Sequence, residues 1–232
     1  ERPGGAANVA RNIASLGAHS TLLSVVGADE AGDCLEKLLT QHGNVNALLH
    51  RDSTISTTIK LRAVARHQQL LRIDFETQPS HEVLNTKLAD FRAKLPDADV
   101  VNLSDYGKGG LTHISEMIRL AREAGKPVLV DPKGDDYTRY AGATLLTPNR
   151  SEFREVAGGW KNEAELNAKA ERLRNELKLE ALLVTRSEEG MSLYRPGAIL
   201  HEPTQSREVY DVSGAGDTVI ATLAVMLACG AE

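Results

Sequence analysis

Short apolar runs separated by amphipathic stretches organise most of the second half of the chain. Residues 100–103, 127–130, 144–146 and 181–184 form such runs, and helical patterns such as 114–124 lie between them. Short apolar runs that alternate with helices are typical of strands buried on both faces. The pattern predicts an α/β fold of the doubly covered type, with a mostly parallel sheet and helices on both sides.

The N-terminal part continues the alternation. Residues 8–16 place apolar side chains at helical spacing, 21–26 form the next apolar run, and 35–39 carry the apolar face of a second helix. Residues 219–231 form the longest mainly apolar run but fall short of the ~20 residues that a membrane span needs. They predict a buried helix.

Between residues 58 and 76 the hydrophobic period changes to two. Apolar and charged side chains alternate and the pattern turns near His67, which predicts an antiparallel hairpin. One face is basic, with Lys60, Arg62, Arg66 and Arg72. This face is either a solvated edge that uses charge against aggregation or a lid over a ligand, and the sequence leaves both open. As a lid, the segment would extend over about 44–76.

Composition excludes several classes of protein. Apolar residues make up 41% of the 232 residues, enough for a full core, and the formal net charge of −5 does not suit general nucleic-acid binding. Cys34 and Cys229 are far apart in the sequence and have no partner spacing, so they fit neither a disulfide framework nor a zinc site. With no signal peptide visible, we expect a protein of the reducing cytoplasm that binds neither nucleic acid nor membranes.

Each apolar run of the second half is followed by a polar loop. Open parallel sheets bind ligands beyond the carboxyl ends of their strands, so these loops predict a site at one edge of the sheet. Asp, Asn and Ser at such places also serve as ordinary helix caps. The candidate side chains in these loops are Asp105, Lys108, Asp131, Lys133, Asn149, Arg150, Ser151, Glu152, Thr185 and Arg186.

The strongest local signal is the segment 211–218, which reads Asp-Val-Ser-Gly-Ala-Gly-Asp-Thr and precedes the apolar helix. Its glycines let backbone amides approach an anion at a helix N-terminus. Asp217 stands where a carboxylate could accept a proton from an attacking hydroxyl, or it simply caps the helix. The segment is neither a Walker loop nor a dinucleotide fingerprint, because the Lys of the first and the third Gly of the second are absent.

These segments together resemble the ribokinase-like (PfkB) family of carbohydrate kinases over essentially the whole chain. The resemblance rests on Gly4-Gly5-x-x-Asn8 before a helix, Asn149-x-x-Glu152, the turn 185–190, and 211–217. It implies ATP-dependent phosphoryl transfer to a sugar, with Asp217 as the base and the amides of Gly214, Ala215 and Gly216 around the transferred group. It also implies Mg²⁺ organised by Asn149 and Glu152, partly through water.

The same resemblance distributes the remaining residues between two ligands. The nucleotide would contact Asn149, Arg150, Ser151, Glu152, Thr185, Arg186 and Gly190. The sugar or its own phosphate would contact Gly4, Gly5, Asn8, Arg72, Asp105, Lys108, Asp131 and Lys133. The family's first strand would precede Glu1 and its last helices would follow Glu232, so the chain is expected to be a fragment of the domain.

Within the family, the chain looks most like the heptose 7-phosphate kinases of lipopolysaccharide core synthesis. The stretches that carry this likeness are 1–10, 68–76, 143–149, 183–188 and 208–212. The likeness implies phosphorylation of the anomeric hydroxyl of D-glycero-β-D-manno-heptose 7-phosphate to the 1,7-bisphosphate. It also implies that a C-terminal adenylyltransferase domain can be fused to the kinase, and the lid offers a surface for a homodimer. The alternatives are another sugar kinase of this fold and a nucleotide-binding module without catalysis.

Overall fold

The computed structural model describes residues 1–41, 43–65, 68–205 and 214–231. The strands are β1 (Ser20–Gly27), β2 (Val45–Asp52), β3 (Ile59–Ala65), β4 (Gln68–Phe75), β5 (Val101–Ser104), β6 (Val128–Asp131), β7 (Leu145–Leu146), β8 (Ala181–Thr185), β9 (Met191–Arg195) and β10 (Ala198–Glu202). The α-helices are α1 (Gly5–Ser15), α2 (Glu30–Thr40), α3 (His81–Lys94), α4 (Ile114–Glu123), α5 (Arg150–Ala157), α6 (Glu163–Glu176) and α7 (Ala215–Ala228).

The largest sheet of the described residues has the strand order β10-β9-β8-β7-β6-β5. Strands β5 to β8 are parallel, and β9 and β10 continue the sheet in the antiparallel sense. Helix α4 connects β5 to β6, and helices α5 and α6 connect β7 to β8. The predicted α/β fold with a mostly parallel sheet is therefore confirmed, and the two antiparallel strands at its edge are an addition to it.

Strand β6 shows how both faces of this sheet are covered. Val128 and Val130 pack into a cluster with side chains of α3 to α6, and Leu129 packs into a second cluster with side chains of α1 and α7. All three residues have no exposed surface. The near-continuous apolar run at 127–130 thus follows from burial on both sides, as the sequence pattern indicated.

Two smaller sheets lie outside the large one. The hairpin of β3 and β4 is antiparallel, with Ile59 opposite Phe75 and an irregularity in register at 63–64. Its turn near His67 and the side chain of Arg66 fall outside the described residues. Residues 45–52, within the predicted lid range, pair in parallel with β1 instead of with the hairpin.

Helix α7 is longer at its start than the apolar run predicts. It begins at Ala215 and ends at Ala228, so its first turn includes Asp217. Gly214, immediately before it, has a φ of +87°, a left-handed conformation that glycine adopts without strain. Of the helices in the described part of the chain, none has the length and apolar character needed to cross a membrane.

Candidate active site

Helices α1 and α7 pack side by side and bring the two ends of the chain together. The amide nitrogen Nδ2 of Asn8 donates a hydrogen bond of 2.7 Å to Oδ2 of Asp217. One turn further on, Nδ2 of Asn12 lies 3.2 Å from Oγ1 of Thr218. The structure therefore joins two candidate residues, Asn8 and Asp217, that are 209 positions apart in the sequence.

The N-terminus of α7 has the geometry of an anion site. The first amides of a helix have no partner within it and carry the positive end of its dipole, and here they belong to Ala215, Gly216 and Asp217. A Cβ atom on Gly214 would lie 2.9 Å from Nδ2 of Asn8, so a side chain at this position would displace that amide. Residues 211–213 of the same motif fall outside the described part of the chain.

Tyr106, in the loop after β5, is a site residue that the sequence did not single out. Its hydroxyl donates a hydrogen bond of 3.0 Å to Oδ1 of Asp217. Its ring packs on the start of α1, where a Cβ atom on Gly5 would lie 2.9 Å from Cε2 of the ring. The only signal in the sequence was its place in one of the polar loops, between Asp105 and Lys108. Gly4 precedes α1 as its N-cap residue.

The carboxylates of Asp131, Glu152 and Asp217 interact electrostatically. Burial, followed by the charges of Glu152 and Asp217, raises the pKa of Asp131 to about 7. The ammonium group of Lys133 opposes this shift. A carboxyl group whose pKa is raised by burial and like charges is typical of functional sites, so we take Asp131, with the two carboxylates that act on it, as the candidate chemical centre.

Asp105 is close to this centre but is engaged by the protein itself. The residue is buried, and its oxygens accept hydrogen bonds of 2.8 Å from the amide of Gly107 and of 2.8 Å from the hydroxyl of Tyr140. Arg139 lies 3.5 Å from the same carboxylate. In the described structure Asp105 shapes the loop that carries Tyr106, and a contact with substrate stays a prediction.

Asn149 and Glu152 form a capping box at the start of α5. Oδ1 of Asn149 accepts the amides of Ser151 at 2.9 Å and Glu152 at 3.0 Å, and Oε2 of Glu152 accepts the amide of Asn149 at 3.0 Å. Oε1 of Glu152 accepts Nζ of Lys133 at 2.9 Å. The described residues contain no group of three or more His, Cys, Asp or Glu side chains that could hold a metal ion.

The residues predicted to contact the nucleotide after β8 lie in an ion-pair cluster. Arg186 is only 6% exposed, and its guanidinium donates to Glu163, Glu189 and Oγ of Ser192. Arg150 pairs with Glu189 and lies over the ring of Trp160, 5.8 Å from its centroid. A cavity of about 590 Å³ adjoins the cluster; its lining is Glu163, Arg186, Glu188, Glu189, His201, Pro203 and Thr204.

Two residues in this region are fixed by the backbone. Thr185 ends β8, donates its amide to the carbonyl of Pro148 at 3.0 Å and forms a bridge with Asn149, so the two predicted nucleotide loops are adjacent. Gly190 has a φ of +89°, and a Cβ atom there would lie 2.0 Å from the carbonyl oxygen of Glu202. Only glycine can occupy this turn.

The basic residues predicted to bind the substrate phosphate are spread over the lid and the strand ends. Arg72 pairs with Asp74 at 3.0 Å, and Lys108 pairs with Glu76 at the end of the hairpin. Nζ of Lys60, on β3, lies 5.5 Å from the centroid of the Tyr106 ring. The hairpin thus approaches the centre through Lys60, while Lys133 pairs with Glu152 of the centre from the loop after β6.

Comparison with known proteins gives the class of this chain. It matches the pfkB family of carbohydrate kinases over residues 1–232, and it belongs to that family. It is 54% identical over 230 residues to the D-beta-D-heptose 7-phosphate kinase of Bordetella bronchiseptica, covering 99% of this chain and 73% of that protein. It is 55% identical over 232 residues to the bifunctional protein HldE of Chromohalobacter salexigens, covering 99% of this chain but only 48% of that protein.

Solved structures support the same fold at low sequence identity. A point mutant of the phosphofructokinase-2 of Escherichia coli superposes with a TM-score of 0.82 at 19% identity, covering 100% of this chain and 77% of that one. The ribokinase of Arabidopsis thaliana with ribose and ATP superposes with a TM-score of 0.78 at 19% identity, covering 97% of this chain and 74% of that one. The expected ribokinase-like fold is confirmed.

Proposed function

We propose that the chain transfers the γ-phosphoryl group of ATP to the anomeric hydroxyl of D-glycero-β-D-manno-heptose 7-phosphate, which gives the 1,7-bisphosphate and ADP. The observation that carries the proposal is the Asp217 carboxylate at the N-terminus of α7, beside Asn8 and the first amides of that helix. The names of relatives with more than half of the sequence in common support the choice of sugar.

In this reaction Asp217 is the base. It accepts the proton of the anomeric hydroxyl as that oxygen forms a bond to the γ-phosphorus, and the bond from phosphorus to the β–γ bridging oxygen breaks with its electron pair leaving on ADP. The amides of Gly214, Ala215 and Gly216 stabilise the charge on the transferred group, because fixed donors need no rearrangement as charge develops. Asn8, Gly4 and Gly5 face the sugar.

Mg²⁺ fits the carboxylates at the centre. It is usually held by one or two carboxylates together with phosphate oxygens and water, so a site made by protein side chains alone is not required. Burial first, and then the charges of Glu152 and Asp217, raise the pKa of Asp131, and a divalent cation would relieve the repulsion between these charges. We assign Glu152 to the ion, with Asn149 acting through water because its own oxygen accepts two amides. The ion neutralises phosphate charge when bound.

The remaining candidate residues take their places around these ligands. Arg150, Ser151, Thr185, Arg186 and Gly190 shape the nucleotide side, with Arg186 acting through the ion-pair cluster that holds it. Arg72, Lys108 and Lys133 are our candidates for the 7-phosphate, and Asp105 and Asp131 for the sugar hydroxyls. Each assignment is a hypothesis for mutagenesis.

The whole protein extends this proposal. The chain spans about half the length of the HldE relatives that it matches, so an adenylyltransferase domain after the kinase is part of the proposal. The lid exposes apolar side chains that a second copy could cover in a homodimer; these are Ile59, Leu61, Leu71, Ile73 and Phe75. The reaction would take place in the cytoplasm, where ATP is available.

The test is ADP release by the full-length protein with a panel of acceptors. We expect kcat/KM for heptose 7-phosphate to exceed that for free heptose and for ribose by at least about 100-fold, since a lost charged phosphate contact costs several kcal/mol. Fructose 1-phosphate keeps a phosphate, so its turnover tests the choice of sugar instead. Comparable values for heptose and heptose 7-phosphate would refute a phosphorylated acceptor. ATP binding without acceptor-dependent ADP release would favour a nucleotide-binding module.

A further inference from the structure

Tyr106 joins three parts of the molecule at the carboxylate of Asp217. Its hydroxyl lies 3.0 Å from Oδ1, while Nδ2 of Asn8 lies 2.7 Å from Oδ2. The two oxygens of Asp217 are therefore held by donors from the loop after β5 and from α1. An ionised carboxylate has about four lone-pair sites, so room for an attacking hydroxyl is left.

The Tyr106 hydroxyl acts as a donor in this arrangement. Burial first, and the charge of Asp217 second, raise the pKa of the Tyr106 phenol well above its ordinary value. The group therefore stays protonated at any pH at which the enzyme works. The hydrogen bond from the Tyr106 hydroxyl to Oδ1 restrains the direction of the Asp217 carboxylate. The hydrogen bond from Asn8 to Oδ2 is a second restraint, and together the two fix the plane of the carboxylate.

The ring of Tyr106 is itself held in place. Gly5, with a φ of +55°, leaves room for the ring, because a Cβ atom at that position would lie 2.9 Å from Cε2. Lys60 of the hairpin lies over the face of the ring, 5.5 Å from its centroid, a favourable cation–π arrangement. An aromatic side chain restrained in this way is a rigid support for its hydroxyl.

We infer that Tyr106 is a positioning residue that holds the Asp217 carboxylate in the orientation needed to accept the proton of the substrate hydroxyl. The inference rests on the proposed role of Asp217 as base and adds a residue to it. Without the phenol, Oδ1 is free to turn toward the amides at the start of α7, since an acidic side chain at this helix position can bond to them. Misplacing a catalytic group by about 1 Å lowers rates by as much as about 100-fold.

The experiment compares Tyr106→Phe with the parental full-length protein. The Phe ring keeps the contacts with Gly5 and Lys60 and loses only the hydroxyl. We expect kcat to fall about 10-fold while KM for ATP and for heptose 7-phosphate changes less than about 2-fold, because only the orientation of the base is altered. A role limited to packing would change the thermal midpoint without this split between kcat and KM.

A double-mutant cycle with Asp217→Asn separates positioning from direct contact with substrate. In the Asp217→Asn background, Tyr106→Phe should change the residual rate by less than about 2-fold, because there is no base left to orient. Tyr194→Phe is the matched control. It removes a hydroxyl that donates to Asn167 at the same distance of 3.0 Å, in the core cluster on the opposite face of the sheet from α7, and kcat should not change.

Three results would overturn the inference. Parental kcat in Tyr106→Phe, alongside an inactive Asp217→Asn, would remove Tyr106 and leave the proposed base in place. The same 10-fold loss in both backgrounds would show that Tyr106 acts independently of Asp217. Parental kcat in Asp217→Asn would remove the proposed base and the inference together, so the two failures are distinguishable.

Discussion

Replacing Asp131 by Asn is expected to stabilise the fold at neutral and alkaline pH. Asp131 ends β6, where burial and the charges of Glu152 and Asp217 raise its pKa to about 7. Above this pH the folded protein holds a carboxylate where its charge is disfavoured, whereas Asn has almost the same shape and stays neutral. The substitution therefore removes the free-energy cost of holding a charged carboxylate at this position.

The pKa sets the size of this effect. The ordinary value of 3.8 against about 7 in the fold corresponds to an upper bound of about 4 kcal/mol, since one pKa unit is equivalent to about 1.4 kcal/mol. The side chain is partly exposed, and water screens its charge. We therefore expect Asp131→Asn to raise the free energy of unfolding by about 1–2 kcal/mol at pH 8, a fraction of that bound.

The sign of the pH dependence follows from the same numbers. A carboxyl group whose pKa is higher in the folded state than in the unfolded state binds a proton more readily when folded. Its contribution to stability is complete below the unfolded value of 3.8 and is lost as the pH rises through about 7. The advantage of Asp131→Asn should thus be smallest near pH 4, grow between pH 4 and pH 7, and level off above.

Urea unfolding between pH 5 and pH 8.5, without nucleotide or Mg²⁺, measures this difference. The comparison variant is Asp105→Asn, which weakens two hydrogen bonds to a buried carboxylate and should destabilise the fold by about 1–3 kcal/mol, the opposite sign to Asp131→Asn. A difference between Asp131→Asn and the parent that does not vary with pH would refute the reasoning. A variant less stable than the parent at pH 8 would refute it as well.

Two further substitutions test the other side of the site. Glu152→Gln keeps the capping box, since Gln also fills that position, but loses the ion pair with Lys133. The thermal midpoint should change by only a few degrees, while the Mg²⁺ concentration for half-maximal rate should rise several-fold. An unchanged Mg²⁺ titration would contradict the assignment of Glu152 to the ion. Gly190→Ala should lower the free energy of unfolding, measured with urea, by at least about 2 kcal/mol, because the new Cβ would clash with the Glu202 carbonyl. Gly142→Ala is the control, since Gly142 has a similar φ of +82° but nothing lies within 4 Å of a Cβ atom there. An equal loss of stability in both variants would show that the clash is not the cause.

The short apolar runs in the sequence predicted the central sheet well. The runs at 100–103, 127–130, 144–146 and 181–184 all contain strands, because burial on both faces leaves little choice of residue type. Strands β9 and β10 escaped prediction. The side chains of β10 are exposed along its whole length, so no burial pattern marks it.

Helix α3 escaped for a different reason. Its buried positions are Leu84, Lys87, Leu88 and Phe91, a regular stripe that includes a lysine. The Lys87 ammonium reaches the carbonyl of Gly110, and burial lowers its pKa to about 8. A charged residue in the middle of an apolar stripe hides a helix from pattern analysis, since only the tertiary structure supplies the partner that lets it be buried.

The sequence indicated which residues belong to the candidate site but not which of them bond to each other. The sequence singled out Asn8 and Asp217 separately, and only the packing of α1 on α7 shows that they bond to each other. Tyr106 was missed because an aromatic residue after a strand is usually part of the core. Its role depends on the direction of one hydroxyl, which periodicity and composition do not encode.

Two helix starts show where sequence reasoning reaches its limit. Glu152 and Asp217 occupy the same position, the third residue of α5 and of α7, and either could be a cap or a reactive group. Glu152 accepts the amide of the residue that caps its own helix, whereas Asp217 accepts donors from Asn8 and Tyr106, more than one hundred residues away. A carboxylate that only capped the start of a helix would bond to amides of that helix and not to two donors from distant parts of the sequence. This difference in partners supports our proposal that Asp217 accepts the proton and that Glu152 has a supporting role.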